Sequence, residues 1–214
     1  MRKTFLTITL FLAISKAALA QFGNCTASEM RTYVDSATGH TITMLTDTMK
    51  NDRFLYQTDP MWTADGKYLL FRSSSRGNDK EVESTLPNGE KRKWKPTQMY
   101  FIEMATGKII QATEGPNLGS AYLANKTNRM FISRKEKENW NMYVMDLDKF
   151  FADVKREKVG KSSAYETFIG TFPTEMGRPG GYAVDCNDDY AYITVEREGT
   201  EEEKERMMKN AFLP

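Results

Sequence analysis

A two-stranded pattern returns every sixty residues along this chain, and a fold that accommodates it must itself be repetitive. Asp59 to Phe71, reading DPMWTADGKYLLF, is a strand, a tight Asp-Gly turn and a second strand. Gly119 to Asn125 turns into Asn128 to Ile132 in the same way, and Gly180 to Asp185 turns through Asn187-Asp188-Asp189 into Tyr190 to Val195. Trp62, Tyr122 and Tyr182 occupy equivalent places, sixty residues apart at each step.

A second hairpin type alternates with the first. Tyr33 to Ile42 and Tyr100 to Ile110 both place an acidic residue before a Thr-Gly turn, and their return strands end in Leu45-Thr46 and Ala112-Thr113. Asn141 to Leu147 begins a third, but the charged stretch Asp148 to Lys161 replaces its turn and predicts a short amphipathic helix. The return strand is then Glu166 to Phe172. Two hairpins per repeat give four strands per unit, which predicts an all-β fold, a β-propeller of four-stranded blades. A β-sandwich is the rival reading, but its strands have no reason to recur at this interval. The chain holds about two full blades plus partial ones. A closed ring of such blades needs more than 214 residues, so residues 21–214 are expected to be the N-terminal part of a propeller domain.

The first twenty residues follow a different logic. Arg2 and Lys3 precede an apolar run, FLTITLFLAI, and Ala18-Leu19-Ala20 forms a small-residue ending, the pattern of a secretory signal peptide. An exported, periplasmic protein is expected, with no membrane span after residue 20. Cys25 lies five residues beyond that ending, which argues against lipid attachment, and in an oxidising compartment it could pair with Cys186. Asn24-Cys25-Thr26 and Asn125-Lys126-Thr127 match glycosylation acceptors, discounted because the leader is bacterial in style.

Composition then removes whole classes of function. One His and two Cys cannot build a multi-Cys zinc site or a several-histidine centre. Lys and Arg number 30 against 29 acidic residues, and a basic helix is missing, so nucleic acid is not an expected partner. No Gly-x-Ser-x-Gly elbow and no Gly-rich phosphate loop occur.

In a propeller, the loops entering the first strand of a blade and those joining its second to its third emerge on one face. Here they carry Arg53, Arg72, Arg76, Arg134, Lys135, Arg178 and Arg197. Permanently charged planar guanidiniums suit carboxylates or phosphates, each of which can accept a two-point contact. Tyr56, Gln57, Trp62 and Trp140 add flat surface and hydrogen-bonding capacity suited to a sugar ring. Plain structural roles compete at several of these positions. Arg72 and Arg134 sit at strand ends beside acidic neighbours and can form ordinary ion pairs. Trp62 reads as core between blades, and Trp140 as packing at a strand start. The insertion Asn78 to Pro96 reads as a solvated loop, placed where a lid would be. His40 should face solvent.

The block KNDRFLYQTDPMWTADGKYLLFRSSSRG, residues 50–77, followed by QMYFIEMATGKIIQATEG at 98–115, resembles the oligogalacturonate lyase family. These are seven-bladed propellers acting on short uronate chains. TolB-like propellers and those of dipeptidyl-peptidase-type enzymes share the Asp-Gly-Lys turn. The preceding stretch with Arg53, Tyr56 and Gln57 is more specific. The resemblance implies β-elimination of an acidic oligosaccharide, with a divalent, manganese-type metal or an Arg neutralising the uronate carboxylate. The family's metal ligands come largely from later blades, and this chain has no matching cluster. Asp52 stands where the family often carries a His. The expected substrate contacts are Arg53, Tyr56, Gln57, Arg72, Arg76, Arg134 and Arg178, with the catalytic half outside this chain. The alternatives are a non-enzymatic TolB-like periplasmic binding propeller and the propeller of a dipeptidyl-peptidase-type serine peptidase.

Overall fold

A computed structural model of the chain describes residues 22–77, 80–85, 89–172 and 178–196. The expected signal peptide, Arg197 and the charged stretch after residue 200 lie outside the described residues. So do the side chain of Arg178 and parts of the 78–96 and 173–180 loops.

The architecture is all-β and propeller-like. The first sheet is antiparallel and joins β1 (Cys25–Thr26), β9 (Ile109–Gln111), β8 (Gln98–Glu103), β5 (Tyr68–Ser73) and β4 (Asp52–Arg53), in that order. The second joins β10 (Leu118–Leu123), β11 (Arg129–Glu136), β12 (Asn139–Asp146) and β13 (Glu166–Phe172). A third begins with β14 (Arg178–Val184) and β15 (Ala191–Glu196). Two hairpins stand apart from these sheets: β2 (Arg31–Val34) with β3 (Thr41–Met44), and β6 (Val82–Thr85) with β7 (Lys91–Trp94).

The sixty-residue repeat is real in three dimensions. Trp62, Tyr122 and Tyr182 pair with Leu69, Phe131 and Ile193 respectively, so the partners also step evenly, by sixty-two residues. The second hairpin type repeats just as closely. Asp35 and Glu103 each accept the hydroxyl of the Thr three residues on, at 2.7 Å in both cases. Their carbonyls accept the amide of the following glycine, at 2.8 and 2.7 Å. The acidic residue seen in both sequence copies therefore caps its own turn. At Gly107 the turn needs φ of +71° and brings Ser28 and Met30 against the Cα, leaving no room for a side chain.

The first strand of the first blade differs from its expected form. Only Trp62 bridges to Leu69, while β4 pairs farther along, Arg53 opposite Arg72. Residues 54–60 leave the sheet between these two anchors. Pro60 has no amide to give a ladder, and the amide of Asp59 is turned onto the carbonyl of Tyr56 at 2.8 Å.

Strand alternation puts a core on both faces of each sheet. Tyr68, Leu70, Met99 and Phe101 of the first sheet pack with Leu123, Met130, Ile132 and Met145 of the second. Phe131 and Met142 point the other way, onto Tyr182 and Val184 of the third. The helix α1 (Leu147–Lys155) is buried through Leu147, Phe150, Phe151 and Val154, one helical face. Asp146 caps it by accepting the amide of Lys149 at 3.0 Å. Phe151 stacks on Tyr68 with centroids 3.6 Å apart and meets Phe101 edge-on. The segment just after the expected leader also belongs to the fold: Phe22 is buried against Phe150 and Tyr165, and β1 pairs with β9.

A latch repeats where the sheets meet. Asn128 accepts the amide of Asp65 at 3.2 Å, and sixty residues later Asp188 accepts the amide of Asn125 at 2.6 Å. Each turn thus reaches back to the equivalent turn of the preceding blade. Asp188 is buried, at φ +65°, and also accepts the amides of Lys126 and Thr127 and the Thr127 hydroxyl, at 2.8 to 2.9 Å.

Two expectations need correction. Residues 78–96 were expected to form a loop, yet they contain the β6–β7 hairpin, with Gly89 in the left-handed region next to Asn88 in sequence. Trp62 is not buried between sheets but 47% exposed. The cysteines, for which paired and unpaired states both stood open, are exposed and unpaired, Cys25 on edge strand β1 and Cys186 in the β14–β15 turn.

Candidate functional site

The arginines gathered by the sequence separate into those bound by the chain's own carboxylates and those left facing solvent. Arg76 is nearly inaccessible. It donates two hydrogen bonds to Glu29, at 2.9 and 2.6 Å, and two to Asp52, and it lies over the Phe71 ring. The Arg76 hydrogen bonds hold the Glu29 carboxyl below its ordinary range, against the cost of its partial burial. Arg134 makes a two-point pair with buried Glu166, both contacts 2.8 Å, over the Tyr143 ring. These two guanidiniums, expected at a substrate carboxylate, are committed within the chain and build the blades. Asp52, where the resembled family often has a His, is one of the groups that fix Arg76.

Arg53 and Arg72 are different. They sit directly opposite each other on β4 and β5, both exposed. Arg53 donates to Asn51 at 3.3 Å, and among the described residues no carboxylate lies within ion-pair distance of either. Burial raises the Asp59 carboxyl above its ordinary value, opposed in part by the charge of Arg72, which is too far for an ion pair. Like charges directly opposite on adjacent strands destabilise a sheet. The equivalent places in the other blades avoid this: Leu118 stands opposite Arg134, and the register sets Arg178 opposite Glu196.

The two arginines line one wall of a cleft of about 640 Å³. That is within the roughly 300–1,000 Å³ usual for ligand sites. The β6–β7 hairpin and the residues following it bring Arg92, Trp94 and Lys95 to the same space, and Gly119 closes it from the second sheet. Among the described residues, four cations and no carboxylate line the cleft. Gly119 is needed there because a Cβ would meet Ser133 and lie 2.7 Å from the Trp140 ring. That contact supports the packing role expected of Trp140.

Tyr56 and Gln57, expected beside Arg53, are exposed on the 54–60 excursion and do not line the cleft. His40 is exposed at a turn, and Lys135 is exposed on β11. Arg92, Trp94 and Lys95 were not singled out by the sequence, because a hairpin of charged residues reads as a solvated loop. The available signal was the Asn88-Gly89 pair between two short runs of alternating residues.

No family model matches the chain, and no curated protein matches it. Solved structures do. An oligogalacturonate lyase in complex with manganese aligns over 78% of this chain at 20% identity, with a TM-score of 0.53. An oligogalacturonate lyase from Vibrio parahaemolyticus aligns over 78% at 21% identity, with the same TM-score of 0.53. The alignment covers 35% of either chain, so the present sequence spans about a third of the structures it matches. At this identity the likeness establishes the fold alone, an all-β propeller-like one. The manganese of the first neighbour has no counterpart donor set among the described residues. Among the described residues no group of three or more His, Cys, Asp or Glu side chains is placed to hold a metal ion. The chain's one His stands exposed at a turn.

Proposed function

We propose that this chain contributes to an exported, periplasmic propeller that binds uronate-containing oligosaccharides and cleaves them by β-elimination. The observation that carries the reading is the Arg53–Arg72 pair, two arginines set opposite each other in the strand register at the wall of a cleft that, among the described residues, holds no carboxylate. An anion between them relieves their repulsion and gains charge-assisted hydrogen bonds from both. A uronate carboxylate held there loses negative charge. Its neighbouring C5 proton becomes more acidic, a general base supplied outside this chain takes it, and the enolate-like intermediate so formed is stabilised. The oxygen linked at C4 then departs. The likeness of fold to oligogalacturonate lyases supports the same chemistry, which draws no step from a metal in this chain.

The test mixes the natural full-length polypeptide with oligogalacturonates and follows ultraviolet absorbance of the unsaturated product. Turnover that falls when Arg53→Ala and Arg72→Ala are combined is expected. Binding without product would move the assignment to a glycan-binding propeller, and no binding to any uronate would overturn it.

A further inference from the structure

The β6–β7 hairpin sorts its charges between two faces. Strand alternation puts Ser84, Arg92 and Trp94 on the cleft side, whereas Glu83, Lys91 and Lys93 are not among the cleft residues. Away from the cleft, Lys91 is paired with Glu83 at 2.7 Å, so acid and base offset each other there. Toward the cleft, Arg92 and the following Lys95 have no carboxylate partner among the described residues. Trp94, between these two cations in sequence, is 38% exposed and lines the cleft with them. Pro96 is buried at the root of the hairpin, just before β8, which anchors this arm to the first sheet.

We infer that the hairpin is a specificity clamp for a second acidic unit of the ligand. Resting on the uronate reading above, the inference is that Arg53 and Arg72 hold one carboxylate. Arg92 and Lys95 hold the next along the chain, and Trp94 packs on the sugar ring that connects them. Two cation pairs on separate walls of one cleft discriminate by the number of charges a ligand presents, because a single acidic sugar satisfies one pair only. The clamp therefore selects oligosaccharides acidic on successive units over single uronates and over chains with neutral neighbours.

The experiment is calorimetric titration of the full chain with mono-, di- and trigalacturonate at fixed ionic strength. Wild type should gain affinity sharply from one unit to two. Arg92→Ala combined with Lys95→Ala should remove most of that gain, about tenfold in Kd for trigalacturonate, and leave the monomer's Kd unchanged. Lys91→Ala with Lys93→Ala removes the same formal charge from the other face and should leave the gain intact. Equal losses from both double variants would mean general electrostatic attraction and would overturn the clamp, while sensitivity to Arg53→Ala would still support the uronate reading. If wild type binds no uronate of any length, that reading fails and the clamp fails with it. Unchanged thermal melts of both hairpin variants guard against misfolding.

Discussion

Replacing Asp188 by Asn keeps the shape of the side chain and its tolerance of a left-handed backbone, yet it removes the acceptor that joins two blades. One carboxylate oxygen accepts the amide of Asn125 at 2.6 Å, and the other accepts two amides and a hydroxyl from Lys126 and Thr127. An amide has a single acceptor oxygen. If it faces the three donors, its NH2 is driven against the N–H of Asn125; if it turns round, three donors lose their partner. In the better orientation one charge-assisted bond is lost and three weaken to neutral strength. With about 1.5–3 kcal/mol for a bond to a charged group and 0.5–1.5 for a neutral one, the hydrogen bonds alone account for about 4.5–7.5 kcal/mol, reduced because the neutral amide escapes the cost of burying a charge. A net loss of about 3 kcal/mol lowers Tm by roughly 6–12 °C for a domain of this size. The assay is thermal and urea unfolding beside Asp189→Asn, an equal change of charge at the exposed neighbouring position, expected to be neutral. Burial raises the Asp188 carboxyl, but the donated hydrogen bonds outweigh it, and the folded value lies below the ordinary one. Its contribution is thus complete above the unfolded value of about 4 and is lost as pH falls through the folded value. The gap between wild type and variant should accordingly narrow in acid. Hydrogen exchange should accelerate first at Asn125, Lys126 and Thr127. Equal stability of Asp188→Asn and wild type, or an equal loss in Asp189→Asn, would refute the latch.

Two further outcomes follow from the same packing. Arg76→Ala leaves Glu29 and Asp52 facing each other without their shared cation, a loss of about 3–5 kcal/mol by urea unfolding; Arg76→Lys should recover only part, since one ammonium cannot span two carboxylates in the same geometry. Phe151→Ala removes the ring stacked on Tyr68 between the first two sheets and should cost about 3–5 kcal/mol, whereas Phe168→Ala, at an exposed ring, should be far milder.

The sequence alone carried the periodic part of the molecule. Spacing of Trp62, Tyr122 and Tyr182, the paired Thr-Gly turns and the helix before Glu166 are local or repetitive signals. Backbone hydrogen bonding and strand alternation turn such signals into hairpins wherever they occur. The sites depended on contacts between distant residues. Nothing near Arg76 or Arg134 in the sequence says that Glu29 and Glu166 will neutralise them, forty-seven and thirty-two residues away. Nor does anything local separate them from Arg53 and Arg72, whose repulsion exists only because β4 and β5 meet in that register. The same holds for Arg92 and Lys95, which a solvated loop would have scattered and which the hairpin turns toward the cleft. Sequence determined that the chain would build repeating antiparallel blades, because periodicity is a property of neighbours. Tertiary structure decided which charges are left unpaired for a ligand, because neutralisation depends on which strands and turns come to lie side by side.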